Sequence, residues 1–96
     1  MRLACIFTDK IEMNEHRKMY GSDHLNYLKE NNKEILIGGG FRDEVDGQFV
    51  GGMWILEVAS FERATELIEN DPYFVPELRS YKLKLWGKAC DEPVVL

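Results

Sequence analysis

The sequence predicts an α+β protein in which two strand–helix–strand halves build one four-stranded antiparallel sheet with two helices on one face. Three observations predict it. A helical stripe runs through residues 13–31, and a second amphipathic segment lies between Ser60 and Pro72. Short strand-like segments flank both, two of them meeting across a turn centred on Asp46-Gly47. The order β-α-β-β-α-β is the split-βαβ, ferredoxin-like arrangement, and right-handed crossovers put both helices on the same side.

Residues 2 to 8, Arg2 to Thr8, read as the first strand and end at the polar Asp9-Lys10. Leu3, Cys5 and Phe7 alternate with Ala4 and Ile6, so both faces are apolar and the strand should be covered on two sides. The helix that follows places Met13, Arg17, Tyr20, His24, Tyr27, Leu28 and Asn31 within one stripe about 100° wide. Asn14 reads as its N-cap and Glu15 as an acid at the positive end of the helix dipole. Gly21 and Ser22 weaken its middle by about 1 kcal/mol, which marks where a kink or break would fall.

An arginine and a histidine thus stand on a core-facing stripe. Removing a polar group from water without a partner costs about 1–3 kcal/mol, so His24 predicts a partner elsewhere in the chain.

Glu34 to Ile37 reads as the second strand, running into Gly38-Gly39-Gly40; these glycines fit either a bulge or strand-end turn or the wall of a ligand pocket. Beyond the hairpin turn, Gly51-Gly52 opens the third strand, Met53 to Ala59, with Trp54, Leu56 and Val58 on one face and Met53, Ile55 and Glu57 on the other. Ser60 is a good N-cap for the second helix, whose buried stripe reads as Phe61, Ala64, Leu67 and Ile68. Asn70-Asp71-Pro72 ends it, and the proline pushes Asp71 towards an extended conformation on a stiff corner. In the last strand Tyr81, Leu83 and Leu85 alternate with Lys82, Lys84 and Trp86, the pattern of an edge or a partly wet face. The tail, Asp91 to Leu96, ends in apolar residues expected to pack on a partner subunit.

Ninety-six residues make one domain, 1–96, with a thin core, since a chain of this size buries only about 60–65% of its unfolded surface. The net charge of −5 comes without a basic run, which argues against nucleic acid as a partner. No apolar run approaches the roughly 20 residues of a membrane span, and Thr8-Asp9-Lys10 interrupt the N-terminal apolar stretch too early for a signal peptide. A cytoplasmic protein is expected, with Cys5 and Cys90 as separate reduced thiols. His16 and His24 are too far apart for a helical zinc pair, and no phosphate-cradling loop or serine elbow occurs, so neither metal nor cofactor is expected. Ala4, Ile6, Met53 and Ile55 would leave an apolar sheet face open to water, which predicts a homodimer packed sheet against sheet, in effect a barrel shared by two chains.

Taken together, Asp9-Lys10, Arg17, His24-Leu25, Leu28, the glycines at 38–40, Gly51-Gly52, the helix start Ser60 to Ala64 and Asp71-Pro72-Tyr73 resemble the YciI-like, YCII-related family of dimeric α+β barrel proteins. The resemblance covers nearly the whole chain. It implies a ferredoxin-like protomer, a dimer and an active site on the helix histidine and an aspartate, here His24 and Asp71. The chain departs from the pattern at Gly21-Ser22-Asp23, where the family often has Arg-Pro-Ala. Related members are lactone-processing dehalogenases, and neighbouring families include cofactor-free monooxygenases and muconolactone isomerases.

If Asp71 reaches a ring nitrogen of His24, it fixes the tautomer and favours the protonated imidazole, an acid or base suited to proton abstraction beside a carbonyl. Arg17 on the same face is placed to hold a carboxylate or enolate oxygen. Tyr20, Tyr27, Tyr73, Gly39 and Gly40 complete the expected substrate-binding set. Two functions fit: a cofactor-free acid–base enzyme acting on a lactone-like or anionic carbonyl compound, or a non-catalytic, small-ligand-binding or accessory dimeric module in which His24 and Asp71 only tie two elements together.

Overall fold

The computed structural model describes residues 1–91; beyond Asp91, the tail expected to pack on a partner lies outside the described residues. The elements run β1 (Arg2–Asp9), α1 (Met13–Glu30), β2 (Ile35–Arg42), β3 (Phe49–Glu57), α2 (Phe61–Glu69) and β4 (Arg79–Leu85). The strands form one sheet in the order β2-β3-β1-β4, each neighbouring pair antiparallel. This is the predicted ferredoxin-like βαββαβ fold.

Alternation along the strands decides which side is buried. Leu3, Cys5 and Phe7 of β1 and Trp54 and Leu56 of β3 join Ala64, Leu67 and Ile68 of α2 in the core, with Tyr27 and Leu28 of α1 packed against it. Both helices therefore cover one face. On the other face, register aligns Ile37, Ile55 and Ala4 in one row and Gly39, Met53 and Ile6 in the next. Ile6 and Ile37 on that face are 38% and 45% exposed. Among the described residues no helix is long and apolar enough to cross a membrane.

Several local expectations are corrected. Glu12, without a side-chain bond, occupies the cap position of α1. Asn14 lies inside the helix instead, and its Nδ2 donates to the Ile11 and Phe49 carbonyls at 3.0 and 3.2 Å, stapling the first turn to β3. The helix runs unbroken through Gly21-Ser22, because tertiary bonds from His16 and His24 hold the turns on either side. Ser60 caps α2 as predicted, its Oγ accepting the Arg63 N–H at 3.0 Å. Phe61, however, is 39% exposed and outside the buried stripe; helical side chains lean towards the N-terminus, so that of the first residue projects past the end of the helix.

The glycines lie within the sheet, not at strand ends, since β2 runs on through Gly38–Gly40 to Arg42 and β3 starts at Phe49. Ladder bonds need only backbone, and here side chains would obstruct it. A Cβ on Gly51 would lie 2.2 Å from the Phe7 carbonyl oxygen, and one on Gly52 2.6 Å from that of Gly39. β4 likewise begins two residues earlier than its side-chain alternation indicates, at Arg79.

Candidate active site

The antiparallel register of β1 and β4 sets Asp9 directly opposite Arg79. The arginine grips the carboxylate with two bonds, Nε to Oδ1 at 2.7 Å and Nη2 to Oδ2 at 2.9 Å. Arg17, brought back over the end of β1 by α1, adds a third from Nη2 to Oδ2 at 2.7 Å and also donates to the Gly51 carbonyl at 3.1 Å. Asp9 has no exposed side-chain surface. Burial pushes its carboxyl up, but the hydrogen bonds and charges of Arg79 and Arg17 together outweigh that, and the net shift is downward. Arg17 and Arg79 also lie over the Phe49 and Phe7 rings, at 4.6 and 4.3 Å from the ring centres.

Next to this cluster, His24 Nδ1 bonds Asp71 Oδ1 at 2.7 Å, and the same oxygen accepts the Tyr73 backbone N–H at 3.1 Å. Asp71 is 4% exposed. A buried carboxylate accepts from the ring, so Nδ1 carries the proton and Nε2 is the basic nitrogen of the neutral imidazole. The Tyr73 ring stacks on the imidazole, with centres 3.8 Å apart and planes 6° from parallel. Two further bonds tie the corner to α1: His16 Nε2 donates to the Pro72 carbonyl at 2.7 Å, and the Tyr73 hydroxyl donates to the Arg17 carbonyl at 3.4 Å.

These groups surround a cavity of about 190 Å³. Arg17, Arg79 and His24 supply its polar wall, Phe7, Phe49, Trp54 and Tyr73 its aromatic sides, and backbone at Gly38, Gly39, Gly40 and Gly52 one further side. Among the described residues no cluster of three or more His, Cys, Asp or Glu is arranged to hold a metal ion. The sequence itself matches the YCII-related domain over residues 1–87. The chain belongs to the YCII-related domain family.

No curated protein matches the chain, but a solved structure shares its fold. The chain is similar to 5-chloro-2-hydroxyhydroquinone dehydrochlorinase (TftG) from Burkholderia phenoliruptrix AC1100, in complex with 2,5-dihydroxybenzoquinone, at a TM-score of 0.78 and 23% identity over 91% of this chain and 94% of that one. A looser likeness, at a TM-score of 0.48 and 12% identity over 96% and 100%, is to an uncharacterized NIPSNAP domain protein from Burkholderia xenovorans.

Within this YCII-related domain, the candidates named from sequence divide into three groups. Arg17, His24, Gly39, Gly40 and Tyr73 line the cavity, and Asp71 stands behind the histidine. Tyr20 and Tyr27 do not line it. Tyr20, 38% exposed, stacks on His16 instead. Tyr27 donates its hydroxyl to the Leu67 carbonyl at 2.5 Å, and burial, followed by the nearby Asp71 charge, pushes its phenol up, keeping it a donor. Cys5 is a free buried thiol whose pKa burial pushes up to about 12. Sequence reasoning missed the electrostatic role of Asp9 and the whole contribution of Arg79, because the strand register that pairs them had no local signal.

Proposed function

We propose that the chain is a small acid–base enzyme in which His24, oriented by Asp71, moves a proton on a carbonyl-bearing, anionic small molecule. The observation that carries this reading is the 2.7 Å bond from a cavity-lining imidazole to a buried carboxylate. Asp71 accepts Nδ1–H, which leaves Nε2 to take a proton from the carbon beside the carbonyl. The electron pair of that C–H bond moves into the carbonyl, and the enolate oxygen rests against the Arg17 guanidinium. From the enolate, the proton returns at another carbon in an isomerisation, or a halide departs with the electron pair in an elimination. The enzyme of the same fold named for a dehydrochlorination supports the second outcome.

The test uses 5-chloro-2-hydroxyhydroquinone as probe and chloride release as readout. The wild-type chain should release chloride, and His24→Ala should lose at least about 100-fold of that rate, the usual contribution of a general base. Equal rates in His24→Ala and wild type would remove the catalytic assignment. A second reading keeps a specific observation of its own. His16 ties α1 to Pro72 just as His24 ties it to Asp71, so both serve as struts in a non-catalytic binding or accessory module. That reading requires His24→Ala to lower the melting temperature and leave probe binding intact.

The functional unit in this proposal is a homodimer packed through the open sheet face. Exposed Ile6 and Ile37 on that face support it, with Met53 and Ile55 between them.

A further inference from the structure

A second cavity, about 470 Å³, adjoins the first and shares three of its residues, Arg17, Phe49 and Tyr73; Ile11, Lys18 and Gln48 help form its far side. Arg17 therefore stands between two chambers. Its guanidinium is incompletely used there: Nε is buried and has no hydrogen-bond partner among the described residues. Without it Asp9 would still keep a partner, because Arg79 alone engages both carboxylate oxygens. Of the two arginines, Arg79 is the fixed partner of Asp9 and Arg17 is the surplus cation. An anionic ligand group can draw Arg17 off without leaving Asp9 unpaired, and it supplies the acceptor that Nε lacks.

The volumes set the length of the ligand. About 150 Å³ is enough to hold one benzene ring, so the chamber of about 190 Å³ beside His24 takes a single ring and little more. We propose that the site is bipartite: a planar ring lies beside His24, its anionic oxygen is clamped by Arg17, and a substituent on the ring extends past Arg17 and Phe49 into the outer chamber. The substrate class is thus a substituted, ionised cyclic carbonyl compound. This rests on the function proposed above for the inner chamber, Arg17 at the oxyanion included, and adds the ring as the substrate class and the outer subsite.

Two probes test it by calorimetry on the full chain: 2,5-dihydroxybenzoquinone, and the same ring carrying a butyl chain. The butyl probe should bind about tenfold more tightly, the order expected from burying about two methylenes. Gln48→Trp, which puts an indole into the outer chamber, should bring the ratio of the two affinities down towards one. Arg17→Met should weaken both probes by about 10- to 100-fold, as for the loss of a charged hydrogen bond, with its fold checked by circular dichroism. Butyl binding no tighter than the bare ring, or a ratio unmoved by Gln48→Trp, overturns the outer subsite while the inner reading stands. Undiminished binding to Arg17→Met overturns the clamp. Failure of both probes to bind the wild-type chain overturns the inner reading and the bipartite site together.

Discussion

Replacing Asp9 by Asn leaves Arg17 and Arg79 side by side in a buried space with no anion between them. Breaking a buried ion pair in this way costs about 3–5 kcal/mol, and a urea titration of Asp9→Asn should show a loss of that size. The pH dependence follows from the same carboxyl. Its folded pKa is depressed below the ordinary 3.8, so its stabilising contribution is complete above that value and is lost as pH falls through the lower, folded one. Stability of the wild-type chain should therefore fall more steeply below about pH 4 than that of Asp9→Asn, measured as unfolding free energy against pH. At this scale the sequence was legible where one residue contradicted its surroundings. An imidazole on an apolar stripe demanded a partner, and Pro72 fixed a carboxylate on a corner. Asp9 made no such demand, since an acid at the end of a strand is ordinary, and only pairing with β4 shows that it is buried.

Between elements, α1 is held more by polar ties than by packing, Met13 being its one fully buried residue. The Tyr27 hydroxyl meets the Leu67 carbonyl in the last turn of α2, where helix carbonyls lack intrahelical donors. Tyr27→Phe should cost about 1–3 kcal/mol by leaving that oxygen unsatisfied, and hydrogen exchange should rise in both helices. Ser60→Ala removes a local cap at about 1 kcal/mol, with faster exchange confined to the first turn of α2. The contrast mirrors what the sequence disclosed. Ser60 and Pro72 act on their immediate neighbours and could be read as the bounds of α2. The strands were read too short because Gly38–Gly40 and Gly51-Gly52 carry no side-chain pattern, and Arg79 lies before the alternation of β4 begins.

For the molecule as a whole, the sheet face away from the helices sets the expected assembly. Ile6→Lys places a charge at the end of an apolar row, between Lys82 on β4 and Met53 on β3. Light scattering should find the wild-type chain dimeric at micromolar concentration and Ile6→Lys monomeric with unchanged circular dichroism; a wild-type monomer would refute the assembly. The topology was readable because two strand–helix–strand halves and handed crossovers leave few alternatives. The cavity was not, because its wall draws on every strand and the first helix at once. That distribution also fixes when the site comes into being. Asp9 waits 70 residues for Arg79, and His24 waits 47 for Asp71. A nascent chain that has emerged only as far as Glu69 contains both helix segments but neither Asp71 nor Arg79, so the cavity's polar wall is completed only by the stretch from Asp71 to the closing strand.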